Sequence, residues 1–241
     1  MTADEYAHWV RWTPKPDELT RPRESYFICG TPRCGSWFLC GLLASTGVAG
    51  RPHEWFWRDT LASLMRAWGA RNLASYVDLV LAAGTTTNGV FGAKVMWGQL
   101  PELSAFPRPL FVWLRRRDRL AQAVSFAKAL QTGHWHHWDP RPSKAPTFRY
   151  AEVDSLLREL DELESRWADW FEQQRIQPLE VAYEQLVADP EAATLEVLAF
   201  LSLRLPPDVA IKPLTKAQDD LTNDEWCARY QAERALRGTP A

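Results

Sequence analysis

Short apolar segments alternate with helical patterns along this chain, and this alternation is the feature that most constrains its fold. Segments 25–30, 89–97, 110–116 and 178–183 are rich in β-branched and aromatic residues and are predicted to be strands. Apolar strands of this kind suit a parallel sheet that is covered on both faces. The predicted helices between and after them are 35–47, 60–83, 118–133, 151–174, 190–203 and 223–236. Together they predict an α/β fold with three layers, in which helices flank a central parallel sheet.

The domain organisation is predicted to be simple. Of the 241 residues, 46% are hydrophobic, which is enough for a sizeable core. Residues 1–24 are polar and contain prolines, so we predict an irregular N-terminal arm there. Residues 25–241 show no internal repeat and no long linker, and they are predicted to form a single domain.

Charge and cysteine content limit the possible partners. The net charge of −2 argues against a general nucleic-acid or anionic-membrane binder. The N-terminal residues contain no apolar signal region, and no apolar run reaches the ~18 residues of a membrane span. Three of the four cysteines cluster within residues 29–40, which is no disulfide framework. These features predict a reduced, cytoplasmic setting.

The first predicted strand leads directly into a glycine-containing loop and then a helix. Gly30 and Gly35 are separated by four residues, as in a phosphate-binding loop, but Ser36 stands where that motif has lysine. Backbone N–H groups at such a helix start favour an anion, and Arg33 can donate two hydrogen bonds to an oxyanion. The alternative is an ordinary strand-to-helix turn that uses glycine for its geometry.

A second cationic stretch follows the third predicted strand. Residues 114–118 read LRRRD, which is a poor magnesium site and a good second anion site, although a solvated basic turn is the alternative. An ATP-dependent phosphotransferase would need magnesium held by a loop hydroxyl and an acid from another strand. That enzyme class remains an alternative, as does a nucleotide-binding protein without catalytic activity.

Five motifs in this order resemble the sulfotransferases that use 3′-phosphoadenosine 5′-phosphosulfate (PAPS). The closest group is the bacterial Stf0-type (trehalose 2-sulfotransferase-like) family, and the resemblance runs from about residue 25 to residue 230. It implies a P-loop-like sulfotransferase fold. The motifs are GTPRCGSW, GVAGRPHEWF, GVFGAKVMW, RRDRLAQAVSF and VAYEQLVADPEAATLEVLAFL.

The resemblance implies PAPS as the sulfuryl donor, PAP as the product and no metal requirement. The loop is expected to hold the 5′-phosphosulfate, with Arg33 stabilising charge on the bridging oxygen. Arg116 and Ser125 are expected at the 3′-phosphate, although Arg117 stands in place of a proline, so Arg115, Arg116 and Arg117 all remain candidates. The donor-binding residues implied are Thr31, Pro32, Arg33, Cys34, Gly35, Ser36, Trp37, Arg116, Ser125 and Gln218.

The acceptor is expected to be a small molecule with a hydroxyl group. A charge such as Lys94 within an apolar strand is costly unless it is paired or functional, and its family counterpart lies near the transferred group. The family register favours Glu54 as the base, with His53 as the second candidate. The resemblance also permits a homodimer, whereas no nucleic-acid partner is expected.

Several positions depart from the family pattern. Trp37 replaces a small hydroxyl residue, Arg51 stands where the family often has an acid, and Ala217 precedes Gln218 where an arginine is common. Lys216 is a possible substitute for that arginine. Because Arg51 can change which acceptor binds, trehalose is not assumed.

Aromatic and histidine residues cluster in the predicted loops. Residues 134–139, HWHHWD, contain metal-ligand types, but their spacing matches no closed structural site and an aromatic lid over the acceptor is favoured. Tryptophans at element ends are expected to line an acceptor pocket or to fill the core. These are Trp55, Trp57, Trp97, Trp135 and Trp138.

Overall fold

The computed structural model describes residues 2–11, 13–136, 138–139, 142–215 and 221–238. Within them, helices surround one sheet. Its strands are β1 (Glu24–Gly30), β2 (Val90–Met96), β3 (Pro109–Arg115) and β4 (Leu179–Ala182). The helices are α1 (Ala3–Arg11), α2 (Ser36–Ser45), α3 (Arg58–Trp68), α4 (Leu73–Gly84), α5 (Arg119–Thr132), α6 (Tyr150–Gln174), α7 (Tyr183–Ala188), α8 (Pro190–Phe200) and α9 (Leu221–Leu236), with a 3-10 helix at Leu103–Ala105.

The sheet is parallel throughout, with strand order β2-β1-β3-β4. In its register Gly30 lies beside Met96, and Arg115 lies beside Ala182. The carboxyl ends of neighbouring strands therefore meet at one edge, where open α/β sheets bind their ligands. Each predicted strand is present, and each of its bounds differs from the prediction by one residue at most.

Both faces of the sheet are buried. Alternate residues of β1 point in opposite directions, so Phe27 packs with α3, α4 and α6, whereas Ile28 packs with α2, α7 and α8. This arrangement confirms the predicted three-layer α/β fold. Among the described helices, none is both long and apolar enough to cross a membrane.

The observed helices differ from the predicted ones in two places. The segment predicted as one helix over 60–83 contains α3 and α4, because Gly69 ends α3 in the left-handed conformation and Asn72 caps α4. The helix α7 was not predicted. It begins immediately after β4, and its first residue is Tyr183.

The prediction of an irregular arm over residues 1–24 is wrong for α1. Thr2 and Glu5 form a capping box, in which Thr2 Oγ1 accepts the Glu5 N–H at 3.2 Å and the Glu5 carboxylate accepts the Thr2 N–H at 2.6 Å. The side chain of Tyr6 is fully buried, and Trp9 packs edge-to-face against Trp55 with ring centroids 5.6 Å apart. Packing against the domain therefore stabilises this short helix. The boundary between arm and domain stays a prediction.

Candidate active site

The loop between β1 and α2 turns sharply at the carboxyl edge of the sheet. Gly35 has a φ of +89° and directly precedes Ser36, the first residue of α2. A Cβ atom at Gly35 would lie 2.4 Å from the Tyr183 ring, so both the backbone conformation and this close approach require glycine. The first N–H groups of a helix have no partner within it, which makes the position after this turn suitable for an anion.

A buried glutamine holds the loop in place. The Nε2 of Gln122, on α5, donates to Thr31 Oγ1 at 2.8 Å and to the Pro32 carbonyl at 2.7 Å. The sequence analysis missed Gln122. Its position three residues before Ser125 places both side chains on one face of the helix, and this spacing is the signal that could have found it.

Arg33 reaches across from the loop to α5 and to the segment that follows it. Its Nε donates to Ser125 Oγ at 3.0 Å, and its Nη1 donates to the Trp135 carbonyl at 2.7 Å. Burial, together with the neighbouring charge of Arg116, lowers the pKa of Arg33 to about 10. The guanidinium still carries its charge at neutral pH, so an anion that binds here would relieve the repulsion between the two arginines.

The three consecutive arginines after β3 have different surroundings. Arg115 forms ion pairs with Glu164 and Glu180, whereas Arg117 is exposed. Arg116 lies over the Tyr183 ring at 4.5 Å from its centroid, and its Nη1 is 3.5 Å from the Arg33 carbonyl. Its Nε is buried and has no hydrogen-bond partner among the described residues. Arg116 is therefore the arginine of this run whose geometry suits an anion beside the loop.

A buried ion pair lies on the other side of the loop. The Nζ of Lys94, in β2, is 3.0 Å from Glu54 Oε1, and the two side chains are 4% and 17% exposed. The same ammonium lies over the Trp37 ring, 4.5 Å from its centroid. Burying a lysine within an apolar strand costs free energy unless the charge is paired, and Lys94 has such a partner in Glu54. The pairing also holds Glu54 at the cavity wall.

His53 is placed differently from Glu54. Its Nε2 donates to the Val10 carbonyl at 2.9 Å, and its Nδ1 is buried without a partner among the described residues. Burial lowers the pKa of His53 to about 4, so the ring is neutral at pH 7. A neutral imidazole has basic character and His53 lines the cavity, so it stays the second candidate for the base.

The loop after α5 closes over the site. Asp139 accepts hydrogen bonds from the N–H groups of Trp135 and His136, and it also contacts His136 Nδ1 at 3.2 Å. These bonds, together with that histidine, lower the pKa of Asp139 to about 2 despite partial burial. The His136 ring stacks on Trp138 with centroids 4.8 Å apart. Across the described residues, no three His, Cys, Asp or Glu side chains are grouped as metal ligands.

These elements enclose one cavity of about 670 Å³. It extends from the loop and Arg116 past Lys94 and Glu54 to the aromatic residues of the 134–139 loop. Val10 of α1 forms part of its wall, so the N-terminal helix contributes to the site. Of the predicted site residues, those that line it are Pro32, Arg33, Gly35, Ser36, Trp37, His53, Glu54, Lys94, Arg116 and Ser125.

Other predicted residues lie elsewhere. Thr31 and Cys34 belong to the loop but are buried and absent from the cavity wall, and burial raises the pKa of the Cys34 thiol. Gln218 and Lys216 lie outside the described residues. Trp55 belongs to the core, and Trp97 packs against it. Trp57, Trp135 and Trp138 line the cavity.

Comparison with solved structures shows which class of protein has this fold. A sulfotransferase from Alicyclobacillus acidocaldarius matches the structure with a TM-score of 0.50 and 16% identity, over 92% of this chain and 98% of that chain. This likeness gives the fold alone, which is that of the sulfotransferases.

Sequence comparison identifies the family. The family model of the Stf0 sulphotransferases matches residues 25–106 and 103–233, so the chain belongs to the Stf0 sulfotransferase family. Trehalose 2-sulfotransferase of Mycobacterium tuberculosis (strain Erdman) is 30% identical over 92% of this chain and 100% of its own length. Trehalose 2-sulfotransferase of Mycolicibacterium smegmatis is 27% identical over 90% of this chain and 97% of its own.

Proposed function

We propose that this protein transfers a sulfuryl group from PAPS to a hydroxyl group of a small molecule, with Glu54 as the general base. The observation that carries the proposal is the arrangement around one cavity. Arg33 and Arg116 lie at one end, and the paired carboxylate of Glu54 lies toward the other. A donor with two anionic groups and an acceptor hydroxyl would then meet between them.

The donor end suits a ligand with two anionic groups. The loop and the start of α2 would bind the 5′-phosphosulfate, and Arg116 with Ser125 would bind the 3′-phosphate. The buried, unpartnered Nε of Arg116 supports this fit, because a buried donor without an acceptor is destabilising until a ligand supplies one. Tyr183, which the sequence analysis missed, holds the Arg116 guanidinium against its ring.

The chemistry is an in-line substitution at sulfur. A bond forms between the acceptor oxygen and sulfur while the bond from sulfur to the bridging oxygen of PAPS breaks. The acceptor proton passes to Glu54, and the negative charge left on the 5′-phosphate of PAP is stabilised by Arg33. By analogy with phosphoryl transfer, positioning and charge stabilisation supply most of the catalysis.

Donor binding is the direct test. We expect PAP without magnesium to raise the melting temperature, because a ligand that binds only the folded state stabilises it by an amount that grows with the ratio of its concentration to its Kd. ATP with magnesium is the matched comparison, since it tests the phosphotransferase alternative. Protection by ATP–magnesium together with no protection by PAP would contradict the proposal.

Turnover is the second test, and it separates an enzyme from a protein that only binds nucleotides. The full chain is incubated with labelled PAPS and a metabolite extract, and mass spectrometry identifies any product heavier by one sulfuryl group. Accumulation of PAP with a sulfated product is the expected result. Binding of PAP without any sulfated product from a broad acceptor panel would indicate the non-catalytic alternative.

A further inference from the structure

Apolar side chains form much of the cavity wall, including its end beside Glu54. They come from distant parts of the chain, namely α1, the start of α2, the loop before α3, β2, α5 and the 134–139 loop. The side chains that matter most here are Val10, Trp37, Trp57, Met96, Leu130 and Trp135.

Part of this apolar wall faces solvent. Trp57, Leu130 and Trp135 are 45%, 51% and 37% exposed, respectively, and all three line the same cavity. Trp57 and Trp135 are also the two tryptophans with high exposure in the described ranges. Large apolar side chains that stay exposed in the wall of one cavity, rather than scattering over the surface, mark a place where an apolar ligand binds.

Several polar groups at this end are already paired within the protein. Glu54 is paired with Lys94, His136 contacts Asp139, and His53 donates to the Val10 carbonyl. Asp59 and Thr60 are further polar side chains on the wall. A sugar carries many hydroxyl groups, and each one that loses water without gaining a partner weakens binding. A ligand with one hydroxyl group avoids most of this cost.

We infer that the acceptor is a hydroxyl group carried on an apolar body. The hydroxyl meets Glu54, and the apolar body lies against Leu130 and against Trp57, whose N–H donates to the Glu54 carbonyl at 3.1 Å. The inference rests on the proposed sulfuryl transfer and names the class of acceptor for that same site. The product is a sulfate monoester, in which the acceptor oxygen keeps its bond to carbon and gains one to sulfur.

Initial rates with three acceptors test the inference. The full chain with saturating PAPS is given 2-naphthol, 1-octanol or trehalose, and PAP release is measured. We expect at least one apolar acceptor to exceed trehalose in kcat/KM by tenfold or more. The first two acceptors distinguish an aromatic body from an alkyl chain. A higher kcat/KM for trehalose overturns this inference and leaves the proposed function standing.

Binding provides a readout that does not depend on turnover. Calorimetry measures the Kd of 2-naphthol and of 1-octanol for the PAP-loaded protein, with trehalose as the comparison. Tighter binding of either apolar compound than of trehalose is expected. Tighter binding of trehalose, or no binding of either apolar compound, overturns this inference alone. A wild-type protein that fails to bind PAP overturns the proposed function and this inference together.

A matched pair of leucines tests the location. Leu130 and Leu195 are both exposed and helical, but only Leu130 lines the cavity. For the apolar compound that binds more tightly, Leu130→Ala and Trp57→Ala are each expected to raise the Kd at least threefold and to keep the Kd of PAP within twofold. Leu195→Ala is expected to change neither. An unchanged Kd in both cavity variants places the ligand elsewhere and overturns the inference.

Discussion

The ammonium nitrogen of Lys94 lies 3.0 Å from Glu54 Oε1, within a cavity wall that leaves the lysine side chain 4% exposed. Removing one member of such a pair leaves the other charge buried without compensation, which typically costs about 3–5 kcal/mol. The lysine therefore fixes the carboxylate in one position. It thereby holds Glu54 at the cavity wall, where the proposed proton transfer would take place.

Glu54→Gln tests the base. The amide keeps the shape of the side chain and its oxygen can still accept from Lys94, but it loses the basicity of the carboxylate, so we expect turnover to fall roughly 10²–10⁴-fold. The affinity for PAP is expected to stay near that of the wild type, because the proposed donor contacts lie on other elements. Turnover is measured at saturating PAPS, and Glu102→Gln, at an exposed glutamate, is the control. Nearly full activity in Glu54→Gln beside an inactive His53→Ala would reverse the assignment.

Arg116→Ala tests the 3′-phosphate site. A hydrogen bond to a charged group contributes roughly 1.5–3 kcal/mol, so the Kd of PAP is expected to rise by about one to two orders of magnitude. Adenosine 5′-phosphosulfate lacks the 3′-phosphate and should lose much less affinity. Arg117→Ala, at the exposed neighbour, is the matched control, and both ligands are measured by calorimetry. Equal weakening of the two ligands by Arg116→Ala would place this arginine elsewhere in the site.

Gly35→Ala tests the close approach in the loop. Gly98 also has a positive φ, of +83°, but a Cβ atom there meets nothing within 4 Å. Gly98→Ala should thus cost only the backbone strain, about 1–2 kcal/mol. Gly35→Ala adds a clash with Tyr183, and we expect a larger loss in the free energy of unfolding together with weaker PAP binding. Urea denaturation compares the two, and equal losses would show that Tyr183 moves aside freely.

The pH dependence of stability reports on His53. Burial lowers its pKa to about 4, below the 6.5 expected for an unfolded chain. Between these values the unfolded state binds more protons, so the free energy of unfolding falls as the pH is lowered from 6.5 and this contribution levels off below about 4.

The measurement compares wild type with His53→Gln, whose amide can still donate to the Val10 carbonyl. Urea denaturation at pH 7.5 and pH 5 should show a smaller loss of stability for this variant than for the wild type. His8→Gln, at an exposed histidine of α1, is expected to behave like the wild type. Identical pH dependence in wild type and His53→Gln would refute the buried, neutral state of this ring.

The sheet and the loop were predictable because their signals are local. Strands such as β1 are apolar throughout, and Gly30, Gly35 and Ser36 follow at once, so spacing alone located the turn. The prediction joined α3 and α4 because apolar spacing outweighed the stop signal of Gly69. The helix α1 was missed although its capping box, Thr2 with Glu5, is present in the sequence, because the surrounding prolines and polar residues suggested an arm.

The remaining site contacts depend on tertiary packing. Tyr183 follows a strand that is distant in sequence, and only the parallel register brings it beside Gly35 and Arg116. The sequence likewise could not separate Arg116 from its two neighbours. That distinction depends on the fold, which brings Glu164 and Glu180 into ion pairs with Arg115. The sequence motifs identified the candidate residues, and the fold determines which of those residues face the cavity.

The contribution of α1 to the cavity wall has a practical consequence for expression. A fragment trimmed to the family match, which begins at residue 25, would lack Val10 and the carbonyl that His53 donates to. Such a fragment is expected to show an altered acceptor preference even if it still retains PAP on an affinity resin.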